Sequence, residues 1–146
     1  MVTSLTVAPM RSGLHYYLEQ QFNSFHNFPI ETDLDNLNAD VAILGIPFGD
    51  PYSMGEASND QAFAPTHIRR HCGRALRGLD RYDFDIGGTL LDGRDIKVVD
   101  CGDVIGIAKD VAGNHARSEE AVKKILAAGA LPIILGGDHA IPIPVF

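Results

Sequence analysis

The sequence predicts an α/β fold, a parallel sheet covered by helices, and three observations predict it. Three short apolar runs, at 41–46, 96–99 and 131–135, are bounded by turn formers in the manner of buried parallel strands. Stretches with apolar residues at helical spacing lie between them. The resulting order of strand, helix, strand, helix, strand is the alternation that crossover connections turn into a parallel sheet.

Each element has a local reason. Residues 1–10 read as a loose tail, and Leu14, Tyr17, Leu18 and Phe22 recur at near-helical spacing, which predicts a short helix. Residues 23–38 are polar and turn-rich. Val41-Ala42-Ile43-Leu44-Gly45-Ile46 is a continuous apolar run that Pro47 ends, the first strand. A loop over 49–59 follows. Pro65 is tolerated in the first turn of a helix, and Ile68, Cys72, Ala75 and Leu76 fall on one face of that helix before Gly78 stops it. Residues 79–95 read as a long loop with turns at Gly87-Gly88 and Asp92-Gly93.

Ile96-Lys97-Val98-Val99 is the second strand, running into Asp100-Cys101-Gly102-Asp103. Ser118 is the expected N-cap of the next helix, with Glu119 and Glu120 favourably placed against its dipole. Ala121, Val122, Ile125 and Leu126 are its expected buried face, and Gly129 its end. Leu131-Pro132-Ile133-Ile134-Leu135 is the third strand and leads straight into Gly136-Gly137-Asp138-His139. Three strands with two or three helices read as an unfinished sheet, because a parallel sheet needs cover on both faces.

Composition narrows the function. The 146 residues, 45% hydrophobic and 21% charged, fit one soluble domain or part of one. The net charge is -7, and basic residues gather only at Arg69, Arg70, Arg74 and Arg77, so no nucleic-acid partner is expected. An acidic chain attracts a cationic small substrate. Two isolated cysteines, Cys72 and Cys101, make neither a disulfide framework nor a Cys-rich zinc site, and point to a reduced, cytoplasmic setting. The N-terminus has no signal-peptide pattern. The longest apolar run, 127–135, is broken by Gly129 and Pro132 and is too short for a membrane span.

The residues most able to do chemistry close the third strand. Ligands of open α/β sheets bind beyond the carboxyl ends of the strands, where His139 falls. The two glycines before it allow a sharp turn and close approach, and Asp138 is placed to orient the imidazole or a neighbouring ligand. On spacing alone, a Gly-Gly-Asp turn followed by an ordinary surface histidine is the more frequent outcome. His67 and His71, four apart on the first helix, either share a metal or form a solvated face; the intervening arginines favour the latter. Asp100 and Asp103 either support a site at the second strand's end or cap turns and bond backbone amides. Cys101 has no neighbouring base to make it a nucleophile. Gly136-Gly137 lacks the third glycine of a dinucleotide fingerprint.

Leu135-Gly136-Gly137-Asp138-His139-Ala140-Ile141, preceded by Ala128-Gly129-Ala130-Leu131-Pro132-Ile133-Ile134, resembles the first metal motif of the ureohydrolases, the arginase and agmatinase family. Upstream segments resemble the agmatinase-like branch in the same order. They are Gly45-Ile46-Pro47-Phe48, Phe63-Ala64-Pro65-Thr66-His67-Ile68-Arg69 and Val98-Val99-Asp100-Cys101-Gly102-Asp103-Val104. Two departures stand out. Ala64 replaces a common glycine, and Asn59-Asp60-Gln61-Ala62 does not reproduce the usual Pro-Gly-Ala-Arg, which bears on the substrate-side loop 50–61.

The resemblance implies an arginase-like three-layer αβα fold with a parallel sheet, here incomplete. Residues 1–39 would be an N-terminal extension and 40–146 the start of the core. It implies hydrolysis of a linear, cationic guanidino compound to urea and an amine, assisted by two Mn2+ ions, in a homo-oligomer. His139 matches the family's first metal ligand and Asp138 the supporting acid before it. The other ligands, in an Asp-x-His-x-Asp motif and a later Asp-x-Asp motif, have no match in this sequence. The expectation is therefore an N-terminal fragment inactive in isolation. The alternatives are a truncated non-catalytic interaction module or a small α/β ligand-binding domain.

Overall fold

A computed structural model of the chain describes residues 16–17, 24–49, 60–75 and 81–145. Their strands are β1 (Tyr16–Tyr17), β2 (Val41–Ile46), β3 (Val98–Val104) and β4 (Leu131–Gly136), in the sheet order β1-β3-β2-β4. The three expected strands are mutually parallel: β2 pairs β3 from Val41↔Val98 and β4 from Val41↔Leu131. The helices are α1 (Ala64–Ala75), α2 (Val111–Ala127) and α3 (Pro142–Val145).

Both faces of the sheet are apolar, as the unbroken run of β2 requires. Ala42, Leu44 and Ile46 point to one face. There they join Val99, Cys101 and Val104 of β3 and Ala121, Val122 and Ile125 of α2. Ile43 points to the other, with Phe28, Val98 and Leu135. On that second face lies α1, whose Arg69 reaches Asp100 of β3. Helices on both sides of a parallel sheet give the three-layer αβα arrangement.

Several local expectations change. Tyr16–Tyr17 falls inside the stretch expected to be helical at 14–22, yet it pairs antiparallel with β3, Tyr16 opposite Val104. Two edge residues are enough for ladder bonds, and the sheet overrides a weak periodic signal. The rest of that stretch, most of the 50–61 loop, and Leu76 and Gly78 lie outside the described residues. The second strand starts at Val98 and not at 96, and it runs through the acidic stretch to Val104.

The second helix begins well before Ser118. Asp110 caps it by accepting from the Gly113 N–H at 3.1 Å. Asn114 clamps Ile107 from both sides, accepting from its N–H at 2.8 Å and donating to its carbonyl at 2.9 Å. Ser118 is buried mid-helix and donates to the Asn114 carbonyl at 2.8 Å. A polar first half anchored by side-chain bonds carries no apolar period, so its helix was not legible. Leu126, expected inside, is 55% exposed. The turn after α2 uses Gly129, at φ 80°.

The third strand in the sequence order, β3, is not regular. Its register against β2 shifts between Ile43↔Asp100 and Gly45↔Asp103, which places one extra residue in β3. Gly102 takes φ 74° there, the left-handed conformation that a bulge asks of a glycine.

Candidate functional site

The site is built on the carboxyl ends of β2 and β4. After Ile46, the backbone turns so that the Phe48 N–H donates to the Ile46 carbonyl at 3.0 Å. After Gly136, the chain passes through Gly137-Asp138-His139-Ala140 and into α3. The connection from β2 leads to β3 on one flank, while β4 adds on the other flank. The space beyond the carboxyl ends of such strands is the usual ligand position in open α/β sheets.

Close packing holds the turn. A Cβ placed on Gly137 would stand 2.5 Å from the Gln61 Cβ and 2.6 Å from the Phe48 carbonyl oxygen, so only glycine fits. Gln61 belongs to the 3-10 turn Asp60–Phe63 that leads into α1. Its Oε1 is buried and has no hydrogen-bond partner among the described residues. Asp138 lies against Gly49, where any side chain would overlap its carboxylate. The Asp138 Oδ1 accepts from the Ala140 N–H at 2.9 Å, and its carbonyl accepts from the Ile141 N–H at 3.4 Å. Asp138 thus closes the turn that presents His139, in the manner of an Asx turn. His139 itself is exposed.

Gly137, two residues before His139, packs against the Phe48 carbonyl. β2 lies between β4 and β3, so Asp100 and Asp103 stand on the strand beyond it. Those two carboxylates serve another cation. Arg69 is 2% exposed. It donates from Nε and Nη2 to Asp100 at 2.8 Å each, from Nη1 to Asp103 at 2.5 Å and from Nη2 to the Gly102 carbonyl at 3.1 Å. Asp100 also accepts backbone N–H bonds from Phe25 at 2.7 Å and Gly102 at 2.9 Å, as the turn-capping reading anticipated.

Burial alone would lower the Arg69 pKa, but the hydrogen bond to Asp100 and the charges of both carboxylates outweigh it and hold the guanidinium above its ordinary value. For Asp103 burial wins: its carboxyl sits above the usual range although Arg69 opposes the shift. Burial, reinforced by Asp100, pushes the Cys101 thiol up to about 12, which makes it a poor nucleophile. His67 and His71 are exposed on α1 and stack with ring centroids 6.4 Å apart.

A groove of about 960 Å³ runs from the His139 turn along the outer edge of β4. Asp138 and His139 are its polar end, and Leu126, Leu131, Ile134 and Ile141 line the rest. Gln61, Gly49 and Arg69 are the residues whose parts in this geometry were missed. Only Arg69 left a signal, four residues after Pro65 on the inward helical face.

Comparison with known proteins falls on these same elements. The arginase family pattern matches residues 39–146. A formimidoylglutamase from Halalkalibacterium halodurans is 36% identical over 99 residues, covering 66% of this chain and 29% of that protein. A mitochondrial agmatinase from Gallus gallus is 30% identical over 123 residues, covering 84% of this chain and 33% of that protein. The crystal structure of a hypothetical agmatinase from Burkholderia thailandensis superposes with a TM-score of 0.62 at 26% identity, over 84% of this chain and 35% of that one. The chain thus spans about a third of the length of the curated relatives it matches.

Proposed function

The chain belongs to the arginase family, and on that premise we propose that it carries the first metal-ligand corner of a manganese-dependent amidinohydrolase site, with His139 as the ligand. The observation that carries this reading is the turn itself. An exposed imidazole stands at the carboxyl end of β4, on a turn closed by Asp138 and packed too tightly at Gly137 for any side chain. Asp138 supports His139 from behind.

Imidazole and carboxylate are donors that suit manganese. When bound, two such ions supply an activated water and neutralise charge developing in the transition state. Asp138 and His139 fit one corner of that arrangement. Among the described residues, no three His, Cys, Asp or Glu side chains converge to hold a metal ion. These residues alone therefore do not make a dinuclear centre, and no catalytic step is assigned to them. The substrate class is a small cationic guanidino or amidino compound, in keeping with the relatives' names and the acidic charge of the chain.

The 1–146 chain is expected to release no urea from agmatine or arginine, with or without manganese. It should bind Mn2+ only weakly, at one place. Paramagnetic broadening of NMR signals on adding Mn2+ reads this directly. Signals of 137–140 should broaden first, and His139→Ala should abolish the effect. Broadening centred elsewhere, or urea turnover that survives His139→Ala, would overturn the assignment.

A further inference from the structure

We propose that Arg69 is a positioning residue for the His139 turn, acting through the body of α1 and through Gln61. The inference rests on the proposed role of His139 for its functional meaning, but not for its geometry.

Three observations carry it. The first is how little apolar surface holds α1 to the sheet. Among its described side chains, only Pro65 and Arg69 are buried, while Ala64, Thr66 and Cys72 are half-buried. Ile68, expected on the inner face, is 39% exposed, and His67, Arg70 and His71 face solvent. A helix usually docks through an apolar stripe about a third of its circumference wide. Among the described residues of α1, the middle of that stripe is held by a guanidinium.

The second is the geometry of the guanidinium's bonds. Arg69 makes a fork to Asp100, a further bond to Asp103 and one to the Gly102 carbonyl. Such charge-assisted, planar bonds fix direction as well as distance. A buried ion cluster is poor evidence for net stability compared with a well-packed apolar one. Its contribution here is the angle and height at which α1 sits on the sheet, tied by one side chain to β3.

The third is what lies at the other end of the same rigid piece. The turn Asp60–Phe63 runs without a break into α1 at Ala64. There the Gln61 Cβ and carbonyl pack directly onto Gly137, the residue two before His139. A shift of α1 along or about its axis therefore moves Gln61 against a glycine that has no space to spare. Asp100, Asp103, Arg69, Gln61 and Gly137 form one mechanical path from β3 to the turn after β4, passing over β2.

The test compares three variants of the metal-free chain by NMR and amide hydrogen exchange. Arg69→Lys keeps the charge but cannot form the fork, and Asp103→Asn keeps the shape but weakens one arm. Ile125→Val, in the core on the α2 side, loosens the fold without touching α1. Arg69→Lys and Asp103→Asn should shift the Gly137, Asp138 and His139 amide signals. They should also speed exchange of the Ala140 amide, which is bonded to Asp138, by about tenfold relative to Ile125→Val. If Arg69→Lys does not fold, Asp103→Asn decides alone. Unchanged 137–140 signals in a folded variant, or equal changes in Ile125→Val, would overturn the proposal. Because no metal is present, this outcome is independent of whether His139 binds manganese.

Discussion

Asp100 and Asp103 stand three residues apart on one strand, yet both carboxylates meet the single guanidinium of Arg69. Side chains alternate across a regular strand, so positions three apart face opposite ways. The extra residue at Gly102 resets the alternation, and Asp103 falls on the α1 side while Val104 faces α2.

Removing the guanidinium strands both acids. Arg69→Met should cost about 3–5 kcal/mol, the usual consequence of leaving a buried charge without its partner. Urea denaturation followed by circular dichroism measures it. Replacing Asp100 by Asn in the same background should recover part of the loss, since one uncompensated charge disappears.

Gly137→Ala tests the turn. The added methyl would meet the Phe48 carbonyl oxygen at 2.6 Å, and backbone yields less readily than a side-chain tip. The expected loss is about 1–3 kcal/mol, together with displacement of the Ala140 amide signal. Gly136→Ala is a milder case, since its methyl meets the end of the Ile141 side chain.

Cys101 sets an alkaline limit. Its thiol titrates at about 12 in the folded chain against an ordinary 9.0. A pKa raised by folding means that the stabilisation is whole below 9 and drains away as pH climbs toward 12. The slope in that window approaches about 1.4 kcal/mol per pH unit for one group. Denaturation midpoints of the native chain and Cys101→Ala, compared at pH 8 and pH 10.5, should converge at the higher pH. Parallel curves would show that Cys101 ionises freely.

The outer edge of β4 should make the chain self-associate. Leu131 is 62% and Leu126 55% exposed beside a strand edge that no described residue pairs, and such surfaces recruit other chains. Sedimentation velocity should show concentration-dependent association that Leu126→Lys with Leu131→Thr reduces. The substitutions touch no core residue, so the melting temperature should change little.

The sheet was legible because its signals are local. The run 41–46 is apolar at every position, and no other element accommodates such a run as well as a strand covered on both faces. Pro132 did not mislead: Leu131 donates its N–H to Asp40 at 2.8 Å, so the next nitrogen faces the open edge, where no ladder donor is missed. His139 was placed at a strand end by its motif. What stayed hidden depended on partners distant in sequence. Nothing near Asp100 and Asp103 announces a bulge or a guanidinium from 31 residues away. The helical start at Val111 rests on Asn114 and Asp110 side-chain bonds that look, in sequence, like loop chemistry.

The central place of β2 bears on how the chain reaches this structure. The earliest of the three parallel strands has both its neighbours still to come, one after α1 and the other after α2. No ladder bond between these strands joins residues close in sequence, so every strand pairing pays a long loop closure before it returns anything. During synthesis β2 emerges with two bare edges and two apolar faces. It stays in that condition until Val98 and then Leu131 arrive beside it. Topology of this kind is expected to fold more slowly than one built on local contacts, and the interval before β4 docks is when the apolar faces of β2 are least covered.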